Sequence, residues 1–334
     1  MNWLKLPKKV YFKKGSTVVA TKELRDIYNV KHALIITDGN LFASPVVQRV
    51  ETMIKDLGIR TAEFFTAEEQ PTIADAYSGL PKMLEFQPEA IIAIGGGAVM
   101  NLAKVMFLLY EHPEIDLRAI MAEYGDVADA EKDMTFPVLG QKAKLFAIAT
   151  SGGSGAECSP FAVIRDEKTG ICSTICSYQF IPEMAIIDAD HSLDAPADIT
   201  KAAGLKALTL AVRALLSPDT NEYINGMAKD AVRNVFQNLS IACTEGAANP
   251  AARIKMSDAA ALAGIAYGNV CSKLDPKIAL YPTDAEKDAG ALSAEQLKTI
   301  ADLAEYCGVD VEGIKTDKGK FTRWIKACEE LIAD

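Results

Sequence analysis

Short β-branched runs alternate with amphipathic stretches through the first half of the chain, a pattern that predicts a parallel sheet covered by helices. The strand-like runs are residues 33–37, 61–65, 90–94, 145–149 and 184–187, and the third reads Ala90-Ile91-Ile92-Ala93-Ile94 with no polar position at all. Between them, residues 44–57, 72–86 and 98–110 carry apolar side chains at spacings of three and four, the period of a helix with one buried face. Pro88 and Pro113 punctuate two of these stretches. Two further runs, 161–165 and 171–175, flank Asp166-Glu167-Lys168-Thr169-Gly170, whose length and glycine predict an antiparallel hairpin. After Asp188 the strand period stops, and Ala195-Pro196-Ala197-Asp198 marks a boundary before a helical half. Helices are expected over 199–216, 221–243, 250–272, 293–307 and 317–332, with 274–290 (Pro276, Pro282, Gly290) read as a long surface connection. The expected organisation is an α/β dinucleotide-binding domain over 1–194 and an all-α domain over 195–334.

Composition narrows the setting. A chain of 334 residues suits two cores better than one. No apolar run approaches the roughly 20 residues of a membrane helix. The charged start, through Lys5, Lys8 and Lys9, is not followed by the apolar stretch of a secretory signal, so a cytoplasmic address is expected. A net charge of −10 disfavours nucleic acid and anionic lipid as partners. Seven cysteines, an odd number widely spaced, fit a reducing compartment. Cys172 and Cys176 would share one face of a strand, but a structural zinc site needs four ligands and no second pair accompanies them, so they read as packing residues. The three histidines read most simply as surface residues. His32 precedes a strand, His112 ends a helix, and His191 sits in a connecting loop near the domain junction, where an imidazole would suit acid–base work.

The strongest local signal is the buried strand that runs through Gly95-Gly96-Gly97-Ala98 into a helix carrying Asn101 and Lys104. Glycines let the backbone approach a diphosphate, and the unpaired N–H groups at the start of a helix favour its charge. A second turn, Thr150-Ser151-Gly152-Gly153-Ser154-Gly155-Ala156-Glu157, follows the strand at 145–149 and adds hydroxyls and further backbone donors. Both fall at carboxyl ends of expected parallel strands, where open α/β sheets bind ligands. Glycine turns also serve as tight strand-to-helix connections, yet two of them after neighbouring strands favour the phosphate reading. Asp38, at the end of the 33–37 strand, has two readings. It can hold ribose hydroxyls and repel a 2′-phosphate, which selects NAD over NADP, or it can stabilise the turn at Gly39-Asn40. The G-x-G-x-x-G fingerprint is absent.

These residues resemble a known family. The segment Gly95-Gly96-Gly97-Ala98-Val99-Met100-Asn101-Leu102-Ala103-Lys104 resembles the G-G-G-S-x-x-D-x-A-K motif of the iron-containing (group III) alcohol dehydrogenases, and residues 151–161 resemble their T-x-G-T-G-S-E-x-T-P-F segment. The likeness continues through Pro182-Glu183-Met184-Ala185-Ile186-Ile187-Asp188. It is greatest to the alcohol dehydrogenase module of bifunctional aldehyde-alcohol dehydrogenases, which share Leu6-Pro7-Lys8 and the Tyr110-Glu111-His112-Pro113-Glu114 stretch. It covers residues 5 to 270 and resumes near 300–308. The resemblance implies the iron-type alcohol dehydrogenase and dehydroquinate synthase-like fold: an N-terminal dinucleotide domain, a helical C-terminal domain and a cleft between them. It also implies hydride transfer between NAD(P)H and an aldehyde polarised by a divalent metal on one Asp and three His.

Two of those ligands belong to a G-L-D-A-x-T-H-A helix, which is represented here by Gly204-Leu205-Lys206-Ala207-Leu208-Thr209-Leu210-Ala211. Lys206 and Leu210 stand where the Asp and the His would be, and no histidine follows His191. A catalytic metal needs about three protein ligands, so none is expected here. Asn101 for Asp and Ala156 for Ser weaken the implied nucleotide site without abolishing it. The candidate cofactor residues are therefore Asp38, Gly95, Gly96, Gly97, Ala98, Asn101, Lys104, Thr150, Ser151, Ser154 and Glu157, with NAD as cofactor.

Three readings follow. The first is a pseudoenzyme that keeps a nucleotide site, has a shortened helical domain, and acts by association as a homo-oligomer or with an intact relative. The second is a metal-independent aldehyde or alcohol oxidoreductase in which Lys206 polarises the substrate, against the plainer reading that Lys206 reaches solvent or pairs with a carboxylate. The third is a structural or regulatory subunit that associates through the strand Val10-Tyr11-Phe12, against the equal reading that Lys8, Lys9, Lys13 and Lys14 protect that edge from association.

Overall fold

The computed structural model describes residues 4–66, 70–125, 133–270, 289–290 and 292–333. They fall into two units. One comprises the chain to Ser151 and Ala156–Ser192; the other comprises Gly152–Gly155, Leu193–Val270 and the described residues from 289 onward.

The first unit is built from β1 (Lys9–Tyr11), α1 (Ser16–Asp26), β2 (His32–Asp38), α2 (Gly39–Phe42), α3 (Pro45–Asp56), β3 (Arg60–Thr66), α4 (Ile73–Phe86), β4 (Ala90–Gly95), α5 (Gly97–Glu111), α6 (Leu117–Tyr124), β5 (Lys144–Ala149), β6 (Phe161–Arg165), β7 (Cys172–Cys176) and β8 (Met184–Ile186). Six strands form one parallel sheet in the order β1-β8-β5-β4-β2-β3, and β6 and β7 form the expected antiparallel hairpin, with Phe161 opposite Cys176. Successive residues of a strand face opposite sides, so a sheet covered on both faces needs unbroken apolar strands. Leu34, Ile36, Ile91, Ala93, Leu145 and Ala147 accordingly join the core that includes α4 and α5. Their neighbours Ala33, Ile35, Ile92, Ile94, Phe146 and Ile148 join the core that includes α1 and α3.

Helix α1 is not foreseen by the apolar pattern, because its inward positions are Ser16, Thr17, Ala20, Thr21 and Leu24. Its threonines are satisfied by hydrogen bonds: Thr21 Oγ1 donates to the Thr17 carbonyl at 2.9 Å, and Thr17 Oγ1 donates to Asp188 Oδ2 at 2.8 Å. Helix α6, opened by Asp116 as its N-cap, is likewise absent from the periodicity reading.

The second unit contains α7 (Ala197–Leu216), α8 (Glu222–Thr244), α9 (Pro250–Gly268), α10 (Ala294–Tyr306) and α11 (Asp317–Ala333). The surface connection expected at 274–290 lies almost wholly outside the described residues. Among the described residues, no helix is long and apolar enough to cross a membrane. The glycine turn Gly152–Gly155 seats on these helices by backbone contact. A Cβ on Gly153 would come within 2.4 Å of Ala203 Cα on α7, and one on Gly155 within 2.4 Å of Gly264 Cα on α9. Gly155 also has φ +59°, the left-handed region that an L side chain resists.

Two glycine substitutions should therefore act in opposite directions. Gly155→Ala meets backbone on α9 and a positive φ, and should lower the unfolding free energy by about 3 kcal/mol or more. Gly226→Ala, inside α8 with open space around the new methyl, should raise it by roughly 0.5–1 kcal/mol. Urea denaturation of both variants beside the parent chain measures each sign.

Candidate functional site

The carboxyl ends of β2, β4 and β5 lie side by side, because β4 pairs with β2 through Ile36 opposite Ala93 and with β5 through Gly95 opposite Ala149. The chain reverses its direction of winding between β2 and β4, so Asp38 and Gly95 flank a switch point where ligands of open sheets sit. Gly96 is the N-cap of α5 and offers no side chain to the first-turn N–H groups. A Cβ on Gly96 would stand 3.1 Å from Ser151 Oγ, and Thr150 N donates to the Gly95 carbonyl at 3.2 Å, so the two turns are held against each other. Gly96, Gly97, Ala98, Asn101 and Ser151 are all half-buried at this edge, while Thr150 is buried. Ser154 belongs to the helical unit.

Asp38 does what its turn-stabilising reading describes. Oδ1 accepts from Asn40 N at 3.0 Å and Leu41 N at 2.9 Å and caps α2. Oδ2 has no such bond among the described residues.

Lys104 and Glu157 are placed differently from the open turns. Lys104 is only 1% exposed. Its ammonium donates to the carbonyls of Ala156 at 2.7 Å, Ser159 at 2.7 Å and Phe161 at 2.8 Å. All three N–H donors are spent inside the unit, so Lys104 positions residues 156–161 against α5 and has no donor left for a phosphate. Burial pulls its pKa down, with the nearby Glu157 charge opposing. Glu157 is 2% exposed, and burial pushes its carboxyl up to about 7. Neither inward placement can be read from motif spacing.

His191 corrects the surface reading, since it is 9% exposed. A short 3₁₀ turn, Ala189–His191, folds it under the sheet edge, and its Nε2 lies 2.7 Å from Thr17 Oγ1. Because that hydroxyl donates to Asp188, Nε2 carries the proton toward Thr17, which leaves Nδ1 bare and without a partner among the described residues. Burial lowers its pKa, with Asp188 opposing. The imidazole is a neutral structural donor. His112 Nε2 donates to the Val138 carbonyl at 2.9 Å, and His32 packs on Phe86 with ring centroids 5.3 Å apart.

On α7, Lys206 and Leu210 stand one turn apart. Leu210 is buried, and Lys206 is half-buried with no hydrogen bond or ion pair among the described residues. Burial alone pulls the Lys206 pKa below the usual ammonium range. A protonated amine and an isobutyl group offer a divalent ion no lone pair, so these positions do not fit a catalytic metal.

The chain matches the family model described as iron-containing alcohol dehydrogenase over residues 7–189. It matches a second, described as Fe-containing alcohol dehydrogenase family, C-terminal, over residues 200–282. It is 36% identical over 282 residues to the bifunctional aldehyde-alcohol dehydrogenase AdhE of Escherichia coli K12, an alignment covering 83% of this chain and 31% of that protein. It is 30% identical over 264 residues to the NADPH-dependent butanol dehydrogenase of Clostridium saccharobutylicum, covering 79% of this chain and 64% of that one. The chain thus spans about a third of the length of the bifunctional relative. The solved structure of an alcohol dehydrogenase from Oenococcus oeni superposes with a TM-score of 0.84 at 22% identity, covering 100% of this chain and 87% of that one, which shows a shared fold.

The buried Glu157 gives a pH test. Its folded pKa is raised from 4.5 to about 7, so the stability its protonated form contributes is fully present below pH 4.5 and is lost as pH rises through about 7. Glu157→Gln, an isostere of the neutral acid, should unfold with a free energy higher than the parent by on the order of 2 kcal/mol above about pH 8. The two chains should converge in acid, and urea titrations at matched pH read the difference.

Proposed function

The chain belongs to the iron-containing alcohol dehydrogenase family, and from that premise we propose that it is a metal-free member that holds NAD(H) but does not perform metal-dependent aldehyde reduction. The observation that carries this reading is the pair Lys206 and Leu210 on α7, where the resemblance puts an Asp and a His, in a sequence with no histidine beyond His191. Retention of the nucleotide is supported by the convergence of the Gly95–Gly97 turn, the uncapped start of α5 and Ser151 at the switch point of the sheet. There Gly96 and the first-turn N–H groups of α5 would hold the diphosphate, and Ser151 would add a hydroxyl. The free Oδ2 of Asp38 would take a ribose hydroxyl and repel a 2′-phosphate. A bound nicotinamide would supply hydride chemistry. The loss of the metal positions leaves the protein without the electrophile that draws hydride to a carbonyl.

A protein of this kind acts through association, as a homo-oligomer or with an intact relative. The outer edge of β1, the terminal strand of the sheet order, supports such pairing. A second reading, metal-independent reduction of aldehydes with the Lys206 ammonium polarising the carbonyl, is supported by the half-buried position of Lys206, which has no counter-ion among the described residues. It requires NADH oxidation by aldehydes in metal-free buffer that Lys206→Met abolishes.

Calorimetric titration with NADH should show micromolar affinity that added Fe²⁺ or Zn²⁺ leaves unchanged. Gly96→Asp, which sets a carboxylate beside Ser151 at the diphosphate position, should weaken it roughly tenfold or more. Absence of binding in the parent chain would remove the nucleotide reading. In the same assay NADPH should bind more weakly than NADH, and Asp38→Asn, which keeps an N-cap oxygen, should narrow that gap.

A further inference from the structure

Helix α1 is capped from a distant part of the chain. Its own N-cap residue, Gly15, has no side chain to offer the first turn, and the Asp188 carboxylate takes that place. Oδ1 accepts from Gly15 N at 2.9 Å and Asp190 N at 3.2 Å, while Oδ2 accepts from Thr17 N at 3.0 Å and Thr17 Oγ1 at 2.8 Å. The 3₁₀ turn that follows, Ala189–His191, is fastened to the same hydroxyl, because His191 Nε2 donates to Thr17 Oγ1 at 2.7 Å. His191 N also donates to the Asp188 carbonyl at 3.0 Å, and Ser192 N to the Ala189 carbonyl at 3.0 Å. Ser192 ends this stretch of the first unit, and Leu193 begins the second. The turn is therefore the last point at which the first unit fixes the chain before α7.

This fastening suits one protonation state of the ring. Thr17 Oγ1 gives its proton to Asp188, so toward the imidazole it can only accept, and Nε2 must carry the hydrogen. Nδ1 is buried without a partner among the described residues, and a proton added there makes a buried N–H with no acceptor, which is unfavourable. The charges around the ring do little to offset this. Asp188 already accepts from the four donors of α1 and the turn, Asp190 is paired with Lys14 at 3.3 Å, and Arg49 on α3 adds positive charge. Burial outweighs the two acids, and the ring is held toward its neutral form. We propose that this turn is a pH-sensitive clasp: neutral His191 holds residues 188–192 to the start of α1, and mild acid opens the turn where the chain leaves the first unit. In the opened turn the imidazole meets water and binds a proton in its ordinary range, near 6.5. The closed form is therefore fully favoured above about pH 6.5 and loses ground as pH falls toward the lower pKa of the closed ring, the open population rising up to about tenfold per pH unit.

Amide hydrogen exchange of the full chain, without nucleotide or metal, tests this between about pH 7.5 and pH 5.5, each rate being divided by that of an unstructured amide at the same pH. Mass spectrometry of peptides covering 14–18 and 188–193 reads the clasp, and a peptide from β4 reads global opening. Protection of the first two should fall about fivefold or more on acidification while that of β4 holds. Protection at the clasp that stays level, or that falls only in step with β4, overturns the proposal. His191→Gln keeps an N–H donor for Thr17 and does not titrate, so its clasp peptides should hold their protection across the range. A variant that loses protection in acid as the parent does also overturns the proposal. Should the variant lack the parent circular dichroism, proton NMR of the parent decides in its place: a His191 ring that protonates at or above about pH 6.5 sinks the clasp, and one that protonates below it supports it. The NADH calorimetry is a separate measurement, so the two readings fail separately.

Discussion

Three backbone carbonyls converge on the ammonium of Lys104, and the path of the chain from β5 to the hairpin depends on that contact. Residues 156–160 have no regular structure to satisfy their backbone, and they lie buried. Unpaired buried carbonyls are costly, and so is a buried charge, but each offsets the other here. With the segment pinned to α5, β6 begins where it can pair with β7 and pack against the same helix. The helix thereby serves two ends: its start lies at the carboxyl edge of the sheet, and Lys104, about two turns further in, braces the scaffold.

Much of this fold is legible in the sequence. The apolar runs at 33–37, 90–94 and 145–149 give buried strands because a sheet covered on both faces permits no polar alternation. The glycines at 95–97 do open α5 at the sheet edge. Other parts were hidden for identifiable reasons. Helix α1 places threonine and serine inward, so it lacks an apolar stripe, and its stability rests on hydroxyl bonds such as Thr17 to Asp188 that sequence does not display. His191 reads as a loop residue because the 3₁₀ turn that buries it is three residues long. Lys104 and Glu157 belong to segments resembling nucleotide motifs, yet spacing along a chain cannot say whether a charged side chain points to the ligand or braces the loop behind it. Asp38 is the mixed case, with Oδ1 spent on the turn and Oδ2 without a hydrogen bond among the described residues.

Lys104 and Lys206 also show why burial by itself says little about a lysine. The first is deeper, but its protons are all engaged, so its charge is part of the architecture. The second is shallower and has no hydrogen bond or ion pair among the described residues, and burial alone pulls its pKa down.

The contact between Gly155 and Gly264 has a further consequence. The metal positions on α7 are side-chain positions, so a lineage can exchange them one at a time while the helices stay where they are. Where two backbones touch, a change on either side must wait for both helix and turn to move apart together. The glycines of the second turn are therefore held by packing whether or not any nucleotide is bound. Motif and activity drift at different rates in such a chain, and a phosphate-binding signature can outlast its ligand as masonry.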